Sequence, residues 1–480
     1  MNAQHPFHLR PTTWLLGATL ATLSACAIGP AYERPSAATP AAFKEAPAAD
    51  SNWFPAAPAD ALERGPWWEL FGDATLSKLM AQVEVTNQNV VVATANYAQA
   101  QALVRQQHAG IFPSLSLSAS ASHSGAGVAL AKPTNLQLGL SAGWEPDIWG
   151  ALHLVLTGAQ ASAQASAANL AAARLSAQAA LATDYYALRE ADNEIDLMGA
   201  AVAAYERSLK ITQNQYAAAI AQRTDVLQAQ TQLEITRANL AAMVGQRAVL
   251  EHAIALLLGK APAEFSLLVA NWNANVVAVP LVVPSELLQR RPDIAAAERA
   301  VAAANAQVGI QRAAYFPSAG LTASYGGAGS TLPSLLRASN SLWSLGLSVA
   351  QNLFDAGATT ARVEGAQAAR DASIASYRQS VLGAFQAVED LLATSRSLAE
   401  QEGLRRAASA DADLTEKLTM NQYLQGQVPY TSVVAAQVTA LSARQTLSQL
   451  LASRQASAIA LIQALGGGWK VSAANTEGVR

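Results

Sequence analysis

The chain has 480 residues, 51% hydrophobic and only 14% charged, with a formal net charge of −3. So near-neutral a balance, with no basic cluster, excludes nucleic acid as a partner recognised through its phosphates. A single cysteine excludes an internal disulfide, and much of the hydrophobic share is alanine, the strongest helix former.

His5, His8 and Arg10 precede an apolar run from Trp14 to Leu23, which leads into Leu23-Ser24-Ala25-Cys26. A weakly basic start, a short apolar core and small residues predict a secretory signal over 1–25, too short to span a bilayer as a mature helix. The Leu-Ser-Ala-Cys order resembles a bacterial lipobox. The resemblance implies cleavage before Cys26 and lipid on its sulfur and new amino group; no other cofactor is expected. Several acyl chains anchor stably where one does not. Ala27 follows the cysteine, which by resemblance to lipoproteins favours the outer membrane.

Residues 26–66 are rich in Pro, Ala and Ser and lack periodicity, so they read as a lipidated arm or tether. Order is expected to resume at Pro66-Trp67-Trp68-Glu69-Leu70-Phe71-Gly72-Asp73. Asp73 is placed to cap a helix carrying Leu76, Leu79, Met80 and Val83, running to about Gly110 and ending before Pro113.

The period then changes to two. Leu115, Leu117, Ala119 and Ala121 alternate with serines, and Leu136, Leu138, Leu140, Ala142 and Trp144 alternate with Asn135, Gln137, Gly139, Ser141 and Gly143. Ala319, Leu321, Ala323 and Tyr325 form a third such run, and Trp343, Leu345, Leu347 and Val349 a fourth. These are four strands, apolar on one face and small or polar on the other. A soluble half-buried sheet has this pattern, and so does a transmembrane barrel. Export, lipidation and aromatics near the strand ends (Trp144, Trp149, Tyr325, Trp343) favour the barrel. Four strands cannot close one, and open edges are not tolerated in hydrocarbon. Several chains must therefore contribute, and three would give twelve strands and a lumen.

After each strand pair comes a long helical hairpin. Leu181, Tyr185, Leu188, Ile195, Met198, Val202, Tyr205, Leu209 and Tyr216 form a coiled-coil stripe, with Asp192 at its one missing step. A helix from Ala151 to Ala218 would be about 100 Å long. The first reversal is expected within 216–222, with Thr224 as N-cap of the returning helix; Thr431 should cap its counterpart. On the return, Val226, Leu233, Leu240 and Ile254 share a seven-residue row that Arg247 interrupts. Residues 265–284 read as an edge strand and linker.

The whole unit occurs twice. Asn214-Gln215-Tyr216 recurs as Asn421-Gln422-Tyr423, Leu138-Gly139-Leu140-Ser141 as Leu345-Gly346-Leu347-Ser348, and Leu258-Gly259 as Leu465-Gly466, always 207 residues apart, as Gly150 is from Gly357. Phe112-Pro113-Ser114 and Phe316-Pro317-Ser318 lie three residues nearer. This is a duplicated half-molecule, with a first repeat over 67–259, a linker over 260–285, a second repeat over 286–466 and a tail over 467–480. The predicted fold class is an α+β membrane protein: four transmembrane strands per chain, continued by a helical coiled-coil barrel, with a small mixed equatorial region.

Arg290-Arg291-Pro292-Asp293-Ile294, Ala297-Glu298-Arg299 and Ala313-Ala314-Tyr315-Phe316-Pro317-Ser318 resemble the signature of the TolC-type outer-membrane factors. The lipobox, Gly29-Pro30-Ala31-Tyr32-Glu33-Arg34-Pro35 and Trp67 to Asp73 resemble their lipoprotein branch. The resemblance implies a homotrimer with a twelve-stranded barrel in the outer membrane and a twelve-helix barrel in the periplasm. It also implies a periplasmic adaptor and an inner-membrane pump, most often of the proton-driven resistance-nodulation-division (RND) class. The function it implies is a passive exit duct for drugs and other small toxic compounds.

Protein secretion through the same duct is an alternative, and a lipid-anchored coiled-coil scaffold without a pore is one of another class. No enzyme is expected: there is no phosphate-binding loop, and the six histidines lack ligand or triad spacing. By resemblance, the two helix turns form the periplasmic tip and adaptor contact, which places Arg223, Thr224, Asp225, Tyr430, Thr431 and Ser432 there. Tyr430 and Arg223, the large side chains at these turns, are expected to hold the tip shut between protomers. Ala219 stands where the family usually has glycine. Ser432 and Ala435 stand where many members have acidic residues, so the resemblance carries no acidic ring to this position.

Overall fold

The computed structural model describes residues 28–37, 39–45, 65–123, 134–279, 290–335 and 337–467. The signal segment, Cys26 and the tail beyond 467 lie outside the described residues.

Helix α1 (Ala74–Thr86) and helix α2 (Gln88–Ala109) lead to strands β1 (Ser114–His123) and β2 (Thr134–Trp144). Helices α3 (Ala151–Ala217) and α4 (Arg223–Leu257) form the first hairpin. The second half repeats the plan with α5 (Pro292–Ala313), β3 (Ser318–Gly329), β4 (Ser341–Ala350), α6 (Ala358–Leu424) and α7 (Tyr430–Ala464). Both outgoing helices have 67 residues and both returning helices 35. The duplication is thus kept to the residue in the hairpins.

Two compact units divide the chain, and their boundaries cut through helices rather than between repeats. The first contains the sheet, with Met1–Ser36, Asn96–Ala167 and Ala296–Gln379. Its four strands are antiparallel in the order β1-β2-β3-β4. Trp144 and Trp149 brace the ends of the strands: their indole N–H groups donate to the carbonyls of Ile111 (3.0 Å) and Pro317 (2.7 Å). A segment of the arm is seated in this unit. Asn305 donates to the Pro30 carbonyl (2.9 Å), the Tyr32 hydroxyl donates to Glu298, and Arg378 donates to the Ser36 carbonyl.

The second unit comprises Ala37–Ala95, Ala168–Ala295 and Ser380–Arg480. Here Asp73 caps α1 as its position predicts, accepting from the N–H groups of Thr75 (2.8 Å) and Leu76 (3.0 Å). The expected single helix to Gly110 is instead two. Asn87 leaves the helix at φ −63°, ψ 122° and recaps α2 by accepting from Asn89 and Val90. Its amide also donates to the Leu257 carbonyl (2.8 Å), so a distant partner makes the break. Gly259 reverses the chain there at φ +66°, where a Cβ would lie 2.4 Å from the Thr86 carbonyl oxygen.

Two further expectations are corrected. Thr224 and Thr431 are not caps: the helices begin two residues earlier than those caps would require, with Gln222 and Pro429 in the cap positions. Residues 265–279 do not form the expected edge strand; beyond the 3-10 turn Pro262–Glu264 they make no ladder, and 280–289 lie outside the described residues.

Candidate conducting surface and hairpin turns

The sheet register sorts the strand residues into two faces. Leu117, Leu140, Tyr325 and Trp343 are successive cross-strand partners. They lie on one face together with Leu115, Leu345, Leu347 and Val349. This face is uncovered by the chain itself: Leu117 and Leu347 are each 71% exposed. Ser116, Ser141, Ser324 and Ser344 form the matching row on the opposite face, where Ser116–Ser141 and Ser324–Ser344 share hydroxyl hydrogen bonds of 2.8 Å. That face is otherwise Ser, Thr, Asn, Gln, Gly and Ala, with Leu342 the large apolar exception. The outer edges of β1 and β4 have no partner strand among the described residues. Both faces of the sheet lie largely open in the single chain, one apolar and the other polar, and both edges are unpaired among the described residues, the features expected of one segment of a larger closed surface.

The two hairpin turns are built alike. Ile220 N–H donates to the Gln215 carbonyl (2.8 Å), and Gln427 N–H donates to Gln422 (2.9 Å). Ala219 has φ +58° and Gly426 φ +74°. The position that resembles a family glycine therefore keeps the left-handed backbone despite its methyl group. In the first turn Arg223 and Thr224 are exposed, and Asp225 forms a capping box with Gln222. In the second, Thr431 is exposed and Ser432 half-buried.

Tyr430 departs from expectation. It is 2% exposed, enclosed by its own chain, with its ring 5.2 Å from that of Tyr423 and packed with Ala229 and Val433. Burial, with Tyr423 beside it, pushes its hydroxyl up to about 12. The reading that Tyr430 reaches a neighbouring copy is therefore corrected: a phenol this deeply covered joins the two hairpins of one chain. The Tyr423 hydroxyl completes that link by donating to Gln215 Oε1 (2.5 Å). Below the turns, Arg237 pairs with Glu206 and Arg444 with Asp413, both at 2.7 Å and both at equivalent places in the two repeats.

The residues missed by sequence reading lie where the linker meets the helices. Asp192, 1% exposed, accepts from Arg189 Nη1 (2.7 Å) and Arg247 Nε (2.6 Å). The two guanidinium groups also donate to the carbonyls of Leu268 (2.8 Å) and Leu267 (2.7 Å). On α7 the fully buried Gln455 accepts from Trp272 Nε1 (2.9 Å) and donates to the carbonyls of Asn273 (2.6 Å) and Asn275 (3.0 Å). Residues 267–275 thus run from the first hairpin to the second, held mainly by their backbone. Among the described residues no group of His, Cys, Asp and Glu is placed to hold a metal ion.

A family model described as "Outer membrane efflux protein" matches residues 79–260 and 283–467. Over 452 residues the chain is 29% identical to the cation efflux system protein CusC of Escherichia coli, covering 93% of this chain and 97% of the relative. It is 30% identical over 467 residues to the toluene efflux pump outer membrane protein TtgI of Pseudomonas putida, covering 94% and 97%. Among solved structures, the outer-membrane channel OprN superposes with a TM-score of 0.83 at 29% identity, covering 92% of this chain and 100% of that one. CusC superposes with 0.82 at 28% identity and the same coverage.

Proposed function

The chain belongs to the outer membrane efflux protein family, and from that premise we propose that three copies form the outer-membrane exit duct of a tripartite efflux pump. The observation that carries this is the sheet. Its leucine face is bare in the single chain, its opposite face is hydroxyl-rich, and both edges are open. Three such sheets joined edge to edge give twelve strands, put the leucines in lipid and leave the serine rows facing a wet lumen. The helices support the same assembly: Leu227, Ile235, Val244 and Val249 on α4 and Leu404, Leu414 and Leu418 on α6 are exposed in one chain. Exposed apolar faces of that extent call for neighbouring copies.

The lipid on Cys26 anchors the arm in the membrane, and Arg223, Thr224 and Thr431 present the exposed surface of the turns to a periplasmic adaptor. The adaptor connects the duct to an RND-type inner-membrane pump, which supplies the energy. The cargo is small molecules; a wall of Ser, Thr, Gln and Gly discriminates weakly among them. Retention of a hydrophobic fluorescent dye tests the reading, in cells lacking the protein and in the same cells given it back. Retention rises without it and falls on restoration. Unchanged retention, in cells with no second such duct, overturns the reading.

A further inference from the structure

The two strand pairs carry one register written twice. Ser114 of β1 stands opposite Gly143 of β2, and Ser318 of β3 stands opposite Ala350 of β4. From the first pair to the second, one strand advances by 204 residues and the other by 207. Those are also the spacings from Phe112 to Phe316 and from Gly150 to Gly357. A side-chain brace follows the same shift. Trp144 Nε1 donates to the Ile111 carbonyl (3.0 Å), and Gln351 Nε2 donates to the Tyr315 carbonyl (3.3 Å).

Between the pairs, β2 meets β3 with Leu140 opposite Tyr325, Ser141 opposite Ser324 and Ala142 opposite Ala323. The free edges are the same two kinds of strand, because β4 repeats β2 and β1 repeats β3. A slip of one residue would turn serines into the leucine face, so only registers two residues apart are open to a second copy. A closed barrel fixes its stagger as a whole. Carrying the β2–β3 register to the edges therefore selects one pairing. It sets Leu347 opposite Ala121, Ser348 opposite Ser120 and Val349 opposite Ala119 of the next copy. The rival with the fullest overlap sets Ser348 opposite Ser116 and departs from the internal stagger.

Just outside the strands, the internal junction is fastened by Trp149. Its ring lies 4.9 Å from that of Phe316, and its indole donates to the Pro317 carbonyl. At the edge, Phe112 and Pro113 correspond to Phe316 and Pro317, but Ala356 stands in place of Trp149. The apolar bulk there is instead Leu353 and Phe354, 91% and 88% exposed, and Phe112 and Leu115 are exposed as well. The selected register brings Leu353 and Phe354 alongside Leu115 and Ser114 of the next copy, next to its Phe112.

We propose that neighbouring copies pair β4 to β1 in this one register, Ser348 opposite Ser120, with Leu353 and Phe354 seated on the neighbour's Phe112–Leu115 segment as the counterpart of Trp149. The occupant of the open edge and of the bare apolar pair is thus a second copy of this chain. The proposal rests on the duct reading for the existence of the assembly and adds which residues meet at its seams.

The test is disulfide cross-linking of the full-length chain in membranes. Ser116–Ser141 and Ser324–Ser344, opposite pairs on the polar face, bring their Oγ atoms to 2.8 Å, so cysteines at such a pair are within reach of a bond. Ser324→Cys with Ser344→Cys serves as the internal control. Ser348→Cys is combined in one chain with Ser116→Cys, Ser118→Cys, Ser120→Cys or Ser122→Cys and oxidised with copper–phenanthroline. A ladder up to a covalent trimer is expected with Ser120→Cys, and several-fold less of it with the other three. A heat-modifiable trimer that cross-links best elsewhere, or with none of the four, overturns the register and leaves the duct standing. A chain that stays monomeric overturns both. For the seat, Leu353→Ser with Phe354→Ser is expected to lower the temperature at which the trimer dissociates on gels. Leu332→Ser, exposed at the other end of the sheet, leaves that temperature unchanged. An unchanged temperature in the double variant overturns the seat.

Discussion

Asp192 and Arg247 meet at 2.6 Å, and each stands at the position where the apolar row of its own helix fails. Asp192 interrupts the stripe of α3 and Arg247 that of α4, so two defects become one buried ion pair. Arg189 completes it from the next turn of α3, 2.7 Å from the second carboxylate oxygen. The pair then does something leucines could not: its spare donors hold the carbonyls of Leu267 and Leu268.

Removing the centre of this cluster takes the carboxylate from buried Arg189 and leaves Arg247 with only Glu251, 3.6 Å away. Asp192→Ala is expected to destabilise the protein by about 3–5 kcal/mol, read as a lowered thermal midpoint of the detergent-solubilised protein. Replacing Asp192 and Arg247 together by apolar residues should cost less than the single change, because no unpaired charge remains on that arm of the cluster.

Ala219 occupies a left-handed backbone that its repeat partner fills with Gly426. Ala219→Gly should stabilise by about 1 kcal/mol and Gly426→Ala should destabilise by a similar amount. Opposite shifts of the thermal midpoint in the two variants check this. Equal signs would show that the turns are not equivalent.

At the same turns, Tyr430→Ala should cost about 3–5 kcal/mol, as expected for a buried aromatic ring. Arg223→Ala, at the equivalent exposed position, should stay within about 0.5 kcal/mol. Limited proteolysis near 424–430 distinguishes them: the first variant is cut readily there and the second is cut as the native protein is.

Leu345 and Ser344 are adjacent and face opposite sides of the sheet. Leu345→Arg is expected to cost about 2–4 kcal/mol in the membrane and to reduce the heat-modifiable form on gels. Ser344→Arg should leave assembly intact and shift single-channel conductance and ion selectivity. If Ser344→Arg is the variant that fails to assemble, the lipid and lumen faces are assigned the wrong way round.

The strands and hairpins were legible because their signals are local: Leu/Ser alternation spans 115–122, and every hairpin boundary repeats at a fixed spacing. The break at Asn87 was not, because the bond that fixes it comes from Leu257, far along the chain. Threonine is a good cap, yet Thr224 and Thr431 lie inside their helices. Starting α7 at residue 430 places Tyr430 in the first turn, where it packs on Tyr423. Asp192 and Arg247 were visible only as interruptions, since each makes sense only with the other in place. Of the turn residues, Arg223, Thr224 and Thr431 are exposed, while Tyr430 is buried; size alone does not distinguish a buried anchor from an exposed one.

The linker segment carries its information in its main chain. Arg189, Arg247 and Gln455 grip carbonyl groups at 267, 268, 273 and 275, while the side chains of Leu268 and Val269 are 86% and 64% exposed. Backbone-held chain tolerates almost any vocabulary of side chains, Trp272 apart. A fluorophore or short epitope grafted at 268–269 therefore offers a reporter next to both hairpins that leaves their packing untouched.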